Sequence, residues 1–169
     1  FDIRLVDRSE FTDFDLNSDA GTQRAASNVL AQSRASAVEE FRSRLSSKQT
    51  SNIRAVINEA GAMKNFFIDG ATLSEPQSDT ADNIARGFLK QHPSLFTLSD
   101  TDVANLELTV EDNDQGTTFL KYVQTIGGIK VFEGGVDVAV NRNGEVLSVR
   151  EGFLVSDDSR PTSGAAIPV

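Results

Sequence analysis

The fold of this chain is decided by residues 136–149, which read VDVAVNRNGEVLSV. In the first half of this stretch, valine alternates with other residues at the period of two that is typical of a half-buried β-strand. The pair Asn143-Gly144 then favours a two-residue hairpin turn with positive φ. We therefore predict that residues 146–149 return as the antiparallel partner of the first strand.

Further strands are predicted upstream of this hairpin. Alternating or apolar runs bounded by turn residues indicate strands at 53–58, 63–68, 106–111 and 119–126. Gly127-Gly128 interrupts the last run, and residues 129–132 resume it as a short strand. We expect these strands and the 136–149 hairpin to form one curved antiparallel sheet.

Two helices are predicted to accompany the sheet. In residues 79–91, one helix face collects the apolar side chains Ala81, Ile84, Ala85, Phe88 and Leu89. Pro93 disfavours helical backbone at the residue before it, so this helix is expected to end near Gln91. A longer helix with a thin apolar stripe is predicted from about Asn17 to about Ser47. The predicted fold class is therefore α+β, with a long N-terminal helix and a curved antiparallel β-sheet packed against a second helix.

The chain is predicted to have three parts. Residues 1–50 form an N-terminal extension that carries the long helix, and residues 51–155 form the α+β domain. Residues 156–169 are mostly polar or small and include Pro and Gly, so they are expected to be a linker toward a further domain.

Composition excludes several classes of function. The chain has 169 residues, with 16 Lys and Arg against 25 Asp and Glu, so its formal net charge is −9. Nucleic acids and anionic membrane surfaces attract basic proteins, and we expect binding to neither. No stretch approaches the roughly 20 apolar residues that span a bilayer. The sequence has no cysteine and one histidine, which excludes disulfides, cysteine-based metal sites and a His-Glu-x-x-His zinc site within it.

The remaining polar motifs form no catalytic constellation. His92 has an ordinary pKa near neutrality, and at a helix end it is interpreted as a partner of the helix dipole in preference to a general base or a pH sensor. Residues 111–116 resemble part of a calcium loop but lack two of its ligands, so they are predicted to be a solvated hairpin turn. No cofactor and no metal are expected.

Four local patterns follow one another between residues 84 and 149. They are IARGFLK with LFTLS at 84–99, YVQ at 122–124, GIKVFEGG at 128–135, and VDVAV with NGEVLSV at 136–149. Together they resemble the fungalysin/thermolysin propeptide domain, the N-terminal pro-region of secreted zinc metallopeptidases, over about residues 53–155. The fungalysin branch of the family is the most similar. The sequence departs from the family pattern, which usually has Gly, Pro and Gly, at Thr97, Lys130 and Glu133.

The resemblance implies a non-catalytic function. Such a domain assists the folding of its own peptidase and holds it inactive until the pro-region is cleaved off. The implied partners are the metallopeptidase catalytic domain and a second propeptide subdomain of the same precursor, and the implied location is extracellular or periplasmic. Docking through a sheet edge or the 127–135 segment would use Tyr122, Gln124, Val131 and Phe132. The alternatives that Tyr122, Val131 and Phe132 are core residues stay open.

Three other functions stay open as well. A stand-alone extracellular inhibitor of foreign proteases would need no downstream peptidase. An adhesion or ligand-binding module would present an apolar pocket or accept a partner other than a protease. An enzyme that uses carboxylates alone is the third alternative, and the single histidine weighs against it.

Overall fold

The computed structural model describes residues 13–26, 28–45, 52–58, 61–96, 98–126, 128–152 and 154. Its strands are β1 (Phe14–Asp15), β2 (Ile53–Ile57), β3 (Met63–Ile68), β4 (Leu106–Asp114), β5 (Thr117–Ile126), β6 (Ile129–Asn141) and β7 (Val146–Glu151). Its helices are α1 (Asp19–Ala26), α2 (Val29–Ser43), α3 (Ala81–Gln91), α4 (Pro93–Phe96) and α5 (Asp100–Ala104). The predicted linker at 156–169 lies outside the described residues.

The seven strands form one antiparallel sheet in the order β1-β2-β3-β7-β6-β5-β4. Strands β4 to β7 follow one another as a meander, and β7 then pairs with β3 to join this meander to the first half of the sheet. The predicted α+β class and the antiparallel sheet are confirmed. The two short strands predicted at 129–132 and 136–140 are parts of the single strand β6.

The helices pack on one face of the sheet and enclose the hydrophobic core with it. Phe66 of β3 meets Phe41 of α2 and Phe96 of α4 edge to face, with ring centroids 5.1 Å and 6.2 Å apart. Phe88 of α3 lies on the predicted apolar face of its helix and completes this cluster, 6.1 Å from Phe96. Helix α3 ends at Gln91, as the proline at position 93 predicted.

The structure does not show the single long helix that was predicted over residues 17–47. Helices α1 and α2 take its place, and Asn28 lies between them. The side chain of Asn28 accepts a hydrogen bond from the backbone N–H of Ala31 at 3.1 Å and caps the start of α2. Asparagine favours this position because its side chain satisfies an amide that the first helical turn leaves free.

The hairpin between β6 and β7 has a longer turn than predicted. Asn141 and Glu145 close a three-residue loop, in which Gly144 has the positive φ of 73° and Asn143 does not. The Asn141 side-chain oxygen accepts hydrogen bonds from the backbone N–H groups of Asn143 and Glu145, at 2.9 Å and 3.0 Å, and this stabilises the loop. The two-residue turn with two positive φ angles occurs instead between β4 and β5, at Gln115 and Gly116.

A buried arginine ties helix α2 to the sheet. The Arg34 side chain donates hydrogen bonds to the carbonyl oxygens of Gly61 at 2.9 Å and Ser94 at 3.0 Å. Its guanidinium also lies 3.9 Å from the carboxylate of Glu151 at the end of β7, which accepts a hydrogen bond from the backbone N–H of Met63. Burial raises the pKa of Glu151 to about 8. The division at residue 50 stays a prediction, and α2 shares its core with elements beyond that residue.

Candidate functional site

One face of the sheet is left uncovered by the described helices. Alternation along the strands turns one set of side chains into the core, among them Tyr122 and Val138, and the other set outward. The outward set includes Phe119 of β5, which is 48% exposed, and the half-buried Phe67 of β3. We call this surface the open face. It is an area of regular structure on which a partner could lie.

A cleft of about 560 Å³ lies on the open face. Three basic side chains line it: Lys64 near the start of β3, Lys121 of β5 and Arg150 of β7. Asp137 of β6 lies between Lys121 and Arg150 in the strand register. The wall on the β5–β6 side includes the apolar side chain of Val131. We call this feature the basic cleft.

The hairpin of β5 and β6 contains a bulge beside the cleft, two residue pairs before the turn. Thr125 pairs with Lys130 and Val123 pairs with Gly135, so residues 131–134 stand opposite the single residue Gln124. A Cβ atom at Gly135 would lie 2.6 Å from the Tyr122 carbonyl oxygen, so this close approach of the two strands requires glycine. The bulge carries side chains away from the ladder and re-aims them.

The apolar side chains near this hairpin end are exposed to solvent. Phe132 is 85% exposed and Ile129 is 75% exposed, and we call the two residues together the hairpin tip. Val131 is half-buried in the cleft wall. A phenylalanine with this exposure contributes little to its own core, so the structure excludes the alternative that Phe132 is a core residue.

Tyr122 and Gln124 are buried inside the domain on the helix side of the sheet. The Tyr122 hydroxyl donates a hydrogen bond to the Asp82 carboxylate at 2.7 Å, and the Arg86 guanidinium lies 4.9 Å from its ring centroid. Burial, followed by the bond to Asp82, raises the pKa of Tyr122 above its usual range. Partner binding stays a prediction for all four proposed residues, but only Phe132 and Val131 are accessible to a partner.

Sequence reasoning missed the polar network around Tyr122. Arg86 donates from Nε to Asp82 at 2.8 Å, and its terminal nitrogens donate to the carbonyl oxygens of Val103 at 2.8 Å and Leu106 at 3.0 Å. The network therefore joins α3 and α5 to the start of β4 and the middle of β5. The i, i+4 spacing of Asp82 and Arg86 is the signal that could have found its first contact.

The motifs that carried the family resemblance lie largely in strands β4 to β7 and the hairpin bulge described above. Residues 106–152 match the Fungalysin/Thermolysin Propeptide Motif. The match covers the whole β4–β7 meander, and it confirms for this segment the resemblance that was predicted from the sequence. The predicted resemblance upstream of Leu106, including residues 84–99, lies outside the matched segment and stays a prediction. The motif belongs to propeptides and is not a catalytic domain.

The C-terminal domain of YpeB from Bacillus megaterium is a similar solved structure, at 12% sequence identity and a TM-score of 0.41. The alignment covers 79% of this chain and 62% of that chain. The present chain therefore spans less than two thirds of the relative's length. No curated protein sequence matches the chain.

His92 packs against the helices outside the propeptide motif. Its ring centroid lies 4.6 Å from that of Phe88 and 5.2 Å from that of Phe41, so it joins α3 to α2. Burial and the positive charge of Arg44 lower the pKa of His92, while Glu40 opposes them. The histidine thus acts as a packing residue in its neutral form.

Acidification is expected to destabilise the protein partly through His92. The folded-state pKa lies below the ordinary 6.5, so the unfolded chain binds the proton more readily. The stability that neutral His92 contributes is therefore present above pH 6.5 and is lost as the pH falls through the window below it. Urea unfolding at about pH 7.5 and about pH 5.5 should show a smaller loss for His92→Gln than for the wild type. An identical loss in both proteins would show that protonation of His92 does not contribute to the loss of stability.

In the residues that the structure describes, no three His, Cys, Asp or Glu side chains come together as a possible metal site. Residues 111–116, which partly resemble a calcium loop, form the end of β4 and the turn before β5.

No helix in the described part of the chain is long and apolar enough to cross a membrane.

Proposed function

We propose that the chain is a non-catalytic propeptide segment of a secreted zinc metallopeptidase, and that it inhibits this peptidase and assists its folding. The match of residues 106–152 to the propeptide motif carries the proposal, because propeptides of this type are found in precursors of secreted peptidases. The partners are the peptidase catalytic domain and a second propeptide subdomain of the same precursor. The place of action is extracellular or periplasmic.

The hairpin tip is the part of the motif best suited to contact the peptidase. Phe132 and Ile129 are both exposed near the end of the β5–β6 hairpin, Ile129 in its last pair and Phe132 in the bulge. Covering an exposed phenylalanine contributes about 2 kcal/mol through removal of apolar area from water. Aromatic anchors of this kind dominate the energy of many protein interfaces.

Modest contacts of this size are sufficient while propeptide and peptidase share one chain. A segment that binds only the native peptidase stabilises it by mass action, which favours its folding. Covalent linkage keeps the effective concentration of the segment high, on the order of millimolar for short flexible linkers. Cleavage removes the linkage, so the same contacts then allow the peptidase to become active.

The proposal is tested by titrating the purified 169-residue chain against the mature zinc metallopeptidase of its precursor. Inhibition of this enzyme, without inhibition of an unrelated zinc peptidase, would support a propeptide. Refolding of the denatured peptidase with and without the chain tests the assistance of folding in the same preparation. Equal inhibition of both peptidases would favour a stand-alone inhibitor, and no binding at high micromolar concentration would refute inhibition by this segment.

Phe132→Ser is expected to weaken inhibition at least about tenfold, since tenfold corresponds to about 1.4 kcal/mol of binding energy. Its melting temperature should stay close to that of the wild type, because the side chain is already in solvent. Val29→Ser is the matched control, as Val29 is an apolar residue of α2 that is 81% exposed and lies away from the hairpin tip. Equal inhibition by both variants would remove Phe132 from the docking surface.

A further inference from the structure

The basic cleft collects cations from three strands of the open face. Lys121 on β5 and Arg150 on β7 are two strand spacings apart, roughly 10 Å across the sheet. Lys64 lies at an irregularity in the pairing of β2 with β3, where Ile57 pairs with Met63 and Val56 pairs with Asn65. The extra residue between these two pairs is Lys64, and it lines the same cleft.

These three cations lack carboxylate partners within the described residues. Asp137 stands in register between Lys121 and Arg150, but it forms an ion pair with neither. Some cations elsewhere on the surface do pair: Arg54 binds Asp69 at 2.9 Å, and Lys130 of β6 binds Glu107 at 3.1 Å. Two carboxyl residues, Asp137 and Glu151, also line the cleft, but the Glu151 side chain is buried and faces Arg34. In a chain with a net charge of −9, three unpaired cations around one exposed carboxylate form a locally positive site.

The cleft offers its side chains for recognition where β6 forms its floor. Residues 136–140 of β6 are paired on both sides, with β5 and β7, so this part of the floor cannot accept an added strand. Val123 and Val131 supply apolar walls beside the cations. A site with spaced cations and apolar walls complements an extended segment that carries both carboxylates and aliphatic side chains.

We infer that the basic cleft binds an extended acidic peptide segment of a partner protein, whose carboxylates pair with Lys64, Lys121 and Arg150. The apolar walls hold its aliphatic side chains. The inference follows from the charges and geometry of the open face and does not require that the partner is a peptidase. Its failure would leave the propeptide proposal intact.

The probe for this site is a fluorescein-labelled six-residue peptide of alternating Glu and Val, and its counterpart with Gln in place of Glu. Fluorescence anisotropy with the full chain at physiological ionic strength should show binding of the Glu peptide and at least about tenfold weaker binding of the Gln peptide. Amide shifts in a heteronuclear NMR spectrum should map the Glu peptide to Lys121, Gly135 and Arg150. This mapping requires no variant.

Charge-reversal variants test whether the cations of the cleft bind the Glu peptide. The double variant Lys121→Glu, Arg150→Glu should bind the Glu peptide at least about tenfold more weakly than the wild type. The matched control is Lys90→Glu, Arg142→Glu, which makes the same change in net charge at two exposed residues outside the cleft. The control should bind within about twofold of the wild type, since distant exposed charges are largely screened at physiological ionic strength.

Three results would overturn the inference. They are no binding of the Glu peptide up to millimolar concentration, equal losses in the cleft and control variants, and amide shifts that lie outside the cleft. The first would exclude a site for acidic segments, the second would indicate a response to net charge alone, and the third would place the binding on another surface.

Discussion

Arg34→Ala is expected to lower the free energy of unfolding by at least about 2 kcal/mol, because each buried acceptor that loses its donor costs about 1–3 kcal/mol. The arginine side chain is 5% exposed and satisfies two carbonyl oxygens besides facing Glu151. Its loss leaves these two acceptors without this donor and removes the positive charge beside the buried Glu151. Urea unfolding followed by circular dichroism measures the effect.

The pH dependence of this variant gives a second readout. The folded-state pKa of Glu151 is about 8, above its ordinary value of 4.5. The stability that protonated Glu151 contributes is therefore fully present below pH 4.5 and is lost as the pH rises from 4.5 to about 8. The charge of Arg34 lowers this pKa, and its removal shifts the pKa upward again. The difference in the free energy of unfolding between the wild type and Arg34→Ala should therefore increase above about pH 8.

Arg54→Ala is the control for Arg34→Ala. Arg54 also forms an arginine–carboxylate pair, with Asp69, but both side chains are about half exposed. Its replacement should cost less than about 1 kcal/mol. A similarly small loss for Arg34→Ala would mean that α2 is not held to the sheet through this residue.

Gly144→Ala is expected to cost about 2–4 kcal/mol, from backbone strain and overpacking together. Gly144 has a φ of +73°, which L side chains rarely adopt. A Cβ atom there would also lie 1.9 Å from the Gln77 carbonyl oxygen and 3.0 Å from the Ile84 side chain. The β6–β7 loop would have to move away from the start of α3. The shift in the urea midpoint reports this cost.

Gly70→Ala separates the two contributions. Gly70 has nearly the same φ, +74°, but a Cβ atom there would meet nothing within 4 Å. This variant should lose only about 1 kcal/mol, the cost of the backbone conformation. Equal losses in the two glycine variants would show that the close approach to Gln77 relaxes without a penalty.

The elements with a repeated local signal were predictable from the sequence. Helix α3 has five apolar positions on one face and a proline after its end, and the meander has alternation bounded by turn residues. The break at Asn28 was not predictable in this way, because asparagine is tolerated inside helices as well as at their caps. The two-residue turn predicted at Asn143-Gly144 was wrong for a similar reason. The turn preference of an Asn-Gly pair does not take into account the Asn141 side chain, which stabilises the longer loop.

The candidate site depends on features that a single strand does not reveal. Tyr122 and Phe132 both lie in apolar strand segments, yet one is buried and the other is exposed because the bulge at 131–134 interrupts the alternation of β6. Lys121 and Arg150 line the same cleft only because β5 and β7 both pair with β6, in register at Asp137. The contacts of Arg34 likewise join residues far apart in the chain, for which no local pattern exists.

The central position of β7 has a consequence for the biosynthesis of the protein. Strand β7 is the last strand in the part of the chain that the structure describes, but it is the one that joins β1–β3 to β4–β6. A ribosome or an export channel releases the chain from its N-terminus, so the two halves of the sheet appear before the strand that connects them. Until residue 151 has emerged, β3 and β6 each present an unpaired edge that is prone to aggregation. The sheet is therefore completed late, through contacts between residues far apart in the chain. Until that step, the unpaired edges are available to chaperones.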